Sequence, residues 1–150
     1  MANTQAMCTS FKGELLVGHH NFGTGVVRAA TTADSFKAAL YLASATINAS
    51  TTAYTVTGEV SGTNYTAGGV AVSFIAPSTS GTTAFTTPSA SITYTNVTLS
   101  TAFDCVLLYN STQSNKAVSV HTFGSQTVTA GTFTLTMPTN DASTGLIRLA

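Results

Sequence analysis

From Phe36 onward the chain keeps a period of two. Phe36, Ala38, Leu40 and Leu42 alternate with Lys37, Ala39 and Tyr41. Successive side chains of a strand point to opposite faces, so such a run builds a sheet and cannot present one face as a helix. Residues 54–60 are rich in β-branched and aromatic side chains, and Val70, Val72 and Phe74 alternate with small residues. The second half continues with residues 92–99, 104–109, 117–123, 132–137 and 146–149, all reading as strands. Between them stand Ser61-Gly62-Thr63-Asn64, Gly68-Gly69, residues 77–81, the polar stretch 110–116 and Ala130-Gly131, which supply loops, turns or a bulge. In residues 92–99 the apolar face switches from Ile92 and Tyr94 to Val97 and Leu99, which predicts a bulge near Asn96.

About eight short strands spaced by roughly 10 to 15 residues, with no helices between them, predict an all-β, antiparallel β-sandwich or jelly-roll-like single domain. Leu40, Val72, Leu107, Val120 and Leu135 lie mid-strand among alternating apolar neighbours and are the expected core. Residues 1–35 read as a short N-terminal helix and an arm, and residues 36–150 as the sandwich. Thr9 or Ser10 can cap the helix, on which Met7, Phe11 and Leu15 share one face, while Gly13 weakens it and Gly18 can end it. So short a helix is held by packing, and its apolar face must lie on the core or against a neighbouring subunit. Met7, Phe11 and Leu15 are therefore the candidate subunit interface.

Charge adds a second constraint. Hydrophobic residues make up 43% of the 150, charged residues only 7%, and the formal net charge is zero. Ordinary soluble domains carry about 25% charged residues, and like-charge repulsion keeps free proteins apart. The chain is expected to associate with itself, as a homotrimer or dimer. Lys12, Arg28, Lys37, Lys116 and Arg148 are scattered and balanced by Glu14, Asp34, Glu59, Asp104 and Asp141, so no basic stripe is available for nucleic acid. No apolar run approaches the length of a membrane helix, and residues 1–5 lack the order of a secretory signal. Synthesis in a bacterial cytoplasm is the expectation. Cys8, placed in the helix, and Cys105, inside a strand, read as buried free thiols, not as a disulfide framework.

Catalysis needs an acid, base, nucleophile or metal held beside its partner, and the sequence offers few candidates. His19-His20 point to opposite faces if extended and have no Cys or carboxylate at a ligand spacing. His121 lies on the strand face opposite Val118 and Val120, beside Ser119 and Phe123, and reads as a partly exposed structural histidine. No Gly-x-Ser-x-Gly elbow, carboxylate pair or phosphate cradle occurs. No catalytic, metal or cofactor site is expected. Sequons at Asn48, Asn64, Asn96 and Asn110 arise readily in so Thr-rich a chain. Tyr54, Tyr65 and Tyr109, near predicted strand ends, are candidates for exposed aromatic contacts that would stack on sugar rings.

The strings Met7-Cys8-Thr9-Ser10-Phe11-Lys12, Phe36-Lys37-Ala38-Ala39-Leu40-Tyr41, Glu59-Val60-Ser61-Gly62-Thr63-Asn64-Tyr65-Thr66-Ala67-Gly68-Gly69 and Leu108-Tyr109-Asn110-Ser111 resemble a family of small tailed-bacteriophage and prophage virion structural proteins. Residues 118–137 and 146–149 are similar to it too, so the resemblance covers nearly the whole chain. Its motifs carry no chemistry. They imply a structural component of the virion, on the capsid exterior or the tail, whose partners are itself and the major capsid protein, or tail and fibre proteins. Capsid decoration or cement, a tail-fibre adaptor and, from a different class, a carbohydrate-binding module for the host surface all stay open at this point.

Overall fold

The computed structural model describes residues 3–8, 10–11, 15, 19–23 and 33–149, and the structural statements below concern these. Strands β1 (Ala6–Met7), β2 (Phe36–Leu42), β3 (Val70–Val72), β4 (Ser78–Ser80), β5 (Thr83–Thr86), β6 (Ile92–Asn110), β7 (Lys116–Leu135) and β8 (Ile147–Leu149) form two antiparallel sheets. The larger runs in the order β1-β7-β6-β2-β3 and the smaller β4-β5-β8.

The centre is the hairpin β6–β7. Residues 92–99 and 104–109, expected as two strands, are one strand of 19 residues, and 117–123 and 132–137 merge into one of 20. A glycine-containing stretch makes a turn only if the chain reverses there; here the intervening residues go on pairing and absorb the irregularity as bulges. Asn96 (φ 52°) occupies the expected bulge between Tyr94 and Val97, and Ala130 (φ 46°) marks a bulge between Val128 and Gly131 where a turn was the alternative. Further register shifts lie between Leu99 and Phe103 and between Phe103 and Cys105. They bend the hairpin. Its outer half returns over its inner half, so that Ile92 and Leu135 line one cavity with Val106, Leu108, His121 and Phe123. The Tyr94 hydroxyl then reaches the Ala38 carbonyl, in the middle of β2, at 2.9 Å.

The register puts Ala38, Leu40, Val106, Leu108, Ser119 and His121 on one face of the larger sheet, and Ala39, Tyr41, Cys105, Leu107 and Val120 on the other. Both faces are buried through this central stretch. Of the expected core, Leu40, Leu107 and Val120 have no exposed surface and Val72 is buried, whereas Leu135, near the end of β7, is half-buried.

Three expectations need correction. Residues 54–60 are not a strand but a loop that crosses β2, touching the sheet through single bridges at Tyr41↔Glu59 and Ala53↔Lys116. The Glu59 amide bonds back to the Val56 carbonyl around Gly58 (φ 79°), so β-branched content is overridden by a turn. Residues 77–81, expected as a loop, contain β4, which pairs with β5 across Gly81. Met7 and Cys8 do not open a helix: Ala6 and Met7 pair with Val120 and Ser119, and the Cys8 amide bonds to the Val118 carbonyl at 3.2 Å. Most of the expected helix falls on residues outside the described ones.

Candidate functional site

With so few ionisable groups, their placement decides what chemistry the chain can perform. Glu59 is held at the edge of β2 by its bridge to Tyr41. Its Oε2 accepts the Tyr54 hydroxyl at 2.7 Å, while Oε1 accepts the Tyr65 hydroxyl and the Gly68 amide, each at 2.7 Å. Tyr65 Oη accepts in turn from the Leu40 amide at 3.0 Å. Tyr109 donates to the Gly68 carbonyl at 2.7 Å and Tyr41 to the Thr55 carbonyl at 2.6 Å. All five tyrosines of the chain thus spend their hydroxyls internally, four of them on or around this loop and Tyr94 on Ala38. Burial pushes every one of these phenols above its ordinary range, and the nearby Glu59 carboxylate adds to the shift. Gly69 (φ 72°) lets the loop lie flat on β2, since a Cβ there would overlap the Ala38 carbonyl.

The exposed-aromatic expectation is therefore corrected. Tyr109 is buried and stacks on half-buried Tyr54 with ring centroids 4.8 Å apart, and half-buried Tyr65 stacks on Tyr94 at 5.9 Å. These rings are occupied by one another. The signal was present in the sequence as a lone acid flanked by tyrosines.

A second polar cluster ties the N-terminal residues to the β6–β7 turn. Asn110, with no exposed surface, donates to Asp34 Oδ2 at 2.7 Å and lies 3.2 Å from His20 Nδ1, while its Oδ1 accepts the amides of Thr112 and Gln113 at 3.1 Å. The Asn110 side chain of that sequon is thus sealed inside the fold. His20 packs edge-on against Phe11, centroids 4.7 Å apart, beside Phe22 and Phe36. His19 lies outside this network, with its Nδ1 buried and not hydrogen-bonded. Asp104 accepts from Asn3 at 2.5 Å, and Asp141 caps its own turn through the amides of Ser143 and Thr144 at 2.7 Å, which hold its carboxyl below the usual range.

Ser119 Oγ and His121 Nε2 are 2.9 Å apart. Burial pushes His121 down to about 4, leaving it neutral at pH 7. Ser119 is buried, and among the described residues no carboxylate hydrogen-bonds the ring, so the pair has no orienting acid there. Among the described residues no three His, Cys, Asp or Glu side chains converge as metal ligands would. Cys8 and Cys105 are buried and form no disulfide, and burial raises Cys105 to about 12.

The expected interface triad does not form an outward face. Met7 sits half-buried in β1, Phe11 is fully buried against His20 and Phe22, and Leu15 lines an apolar cavity of about 190 Å³ with Phe22, Phe85 and Ile147. A different surface is unpartnered. β1 covers β7 only at Ser119 and Val120, and among the described residues nothing pairs with the outer edge of β7 from His121 to Leu135. Residues 124–127, 129, 130, 132 and 134 are exposed. Comparison with family models, with curated proteins and with solved structures gives no match.

Proposed function

We propose that this chain is a non-enzymatic structural component of a tailed-phage virion, a decoration or cement protein that binds the outside of the capsid and bridges neighbouring subunits. The observation that carries the non-catalytic half of this reading is the use of the carboxylates. Asp34, Glu59 and Asp104 accept internal hydrogen bonds that pin one segment of chain to another, and Asp141 caps its own turn. Each of these carboxylates is engaged, and the chain is poor in charge and rich in threonine. The virion half rests on the resemblance of the sequence to phage structural proteins. The sandwich and jelly-roll-like closure of the two sheets, and the helix within residues 9–18, belong to the same reading.

Binding that occurs only to an assembled shell stabilises that shell by mass action, and many copies make a weak contact effective. Co-sedimentation tests it: purified protein added to capsids that lack it should pellet with expanded shells and not with unassembled capsid subunits. Equal binding to both, or to neither, would remove the decoration reading. The tail-fibre adaptor is the other outcome, seen as binding to tails alone. A carbohydrate module loses its support, because the tyrosines that would stack on sugars stack on each other.

A further inference from the structure

The outer edge of β7 is the longest strand edge left unpaired among the described residues. Along its first residues, up to Val120, β7 is covered and buried; beyond His121, among the described residues, no strand lies beside its outward N–H and C=O groups. A row of unpaired backbone groups is a template for another strand, and soluble proteins blunt such edges with lysine, proline or inward-pointing charge. This one carries none of them. Between Lys116 and Asp141 there is no Asp, Glu, Lys or Arg, and the first proline after Lys116 is Pro138, beyond the end of β7.

We infer that the edge formed by residues 127–135 pairs antiparallel with the same edge of a second copy, making a two-fold dimer with a sheet continuous across the interface. This rests on the assembly reading above and names the surface it uses. Three features favour a second copy over an unrelated strand. The segment has no formal charge, so self-pairing about a two-fold axis sets no like charges opposite each other. Its exposed positions Thr127, Thr129, Thr132 and Thr134 match themselves as threonine pairs, the arrangement that Thr93 and Thr134 already make within the hairpin at 3.5 Å. The strand is also preorganised, since its inner edge is paired with β6 as far as Ile92↔Leu135. The irregular stretch between Thr122 and Gln126 bounds the edge on one side and Pro138 stands beyond it on the other, so pairing stays confined to a short closed contact that has the Ala130 bulge within it.

The test is sedimentation of the full chain with and without Thr127→Lys and Thr132→Lys, combined with cysteine replacement one position at a time at residues 127, 129, 132 and 134. Both native cysteines are buried and do not compete for oxidation. The inference expects a wild-type species of twice the 15.3 kDa chain mass at micromolar concentration. The double lysine variant should raise the dimer dissociation constant by at least about tenfold without lowering the thermal midpoint of the monomer. The cysteine position closest to the two-fold should form an intermolecular disulfide fastest. A dimer that ignores the lysines and cross-links at no edge position overturns the edge pairing but leaves an assembling structural protein intact. A wild-type monomer at all accessible concentrations overturns it outright and leaves the virion reading standing, since that reading fails only if the chain is absent from purified particles.

Discussion

Replacing Glu59 by alanine removes one carboxylate and strands three donors, the Tyr54 and Tyr65 hydroxyls and the Gly68 amide. A hydrogen bond to a charged group contributes about 1.5–3 kcal/mol, and a buried donor left unmade costs a similar amount. Glu59, Tyr54 and Tyr65 are half-buried, so water can reach part of the site and the lower end of that range applies to each. The loss should then be about 3–5 kcal/mol, a large share of the roughly 5–15 kcal/mol that holds a domain together. Glu59→Gln keeps the shape and one acceptor and should lose less, about 1–2 kcal/mol. The chain has no tryptophan, so urea unfolding can be followed by tyrosine fluorescence alongside circular dichroism. With a urea slope of about 2 kcal/mol per molar, Glu59→Ala should lower the midpoint by roughly 2 M. A shift under about 0.5 M, or alanine and glutamine variants that behave alike, would refute the claim that this carboxylate pins the loop to the sheet.

The remaining expectations use other parts of the fold. All five phenols are raised in the folded state, so the native protein holds extra protons above pH 10; stability is whole below that pH and falls above it, and ultraviolet titration should show phenolate appearing together with unfolding. His121 is lowered from 6.5 to about 4, so the unfolded chain takes up its proton first; stability is whole above about pH 6.5 and declines towards pH 4, by roughly 2–3 kcal/mol, and His121→Gln should flatten that slope in thermal unfolding. Leu107→Ala and Leu40→Ala each delete a fully buried side chain and should cost roughly 2–5 kcal/mol, while Leu135→Ala, half-buried, should cost less in the same urea assay. Cys105 should resist thiol reagents at pH 8 until denaturant is added, and immediate labelling of both thiols would contradict its burial.

The period of two made the sheet legible because it reports which side of a strand is buried. It placed β2, β3 and β8, the bulge at Asn96, the polar turn after Asn110 and four of the five core residues. It did not show where strands continue through irregular stretches. Residues 100–103 and 124–131 break the alternation, yet the hairpin runs on through them on the pairs Phe103↔Gln126, Leu99↔Val128 and Val97↔Gly131, because in a long bent hairpin the partner strand supplies the constraint that local pattern lacks. The same limit hid β4, which is all serine and threonine and exposed, and β1, whose two residues gain strand character only from β7. The candidate sites failed for a related reason. Near strand ends, Tyr54, Tyr65 and Tyr109 read as exposed, but Glu59 turns the two tyrosines that flank it inward and the Gly68 carbonyl does the same for Tyr109. Burial of Phe11 depends on His20 and Phe22, contacts that no spacing within residues 7–15 encodes.

The central claim, a virion component that coats the shell, is tested most directly by the stoichiometry of this chain in purified particles, measured by quantitative mass spectrometry against the major capsid protein. Shell decoration requires a copy number of the same order as that of the capsid protein. A ratio far below one tenth would contradict shell decoration and place the protein at the tail, and its absence from particles would contradict the virion reading altogether.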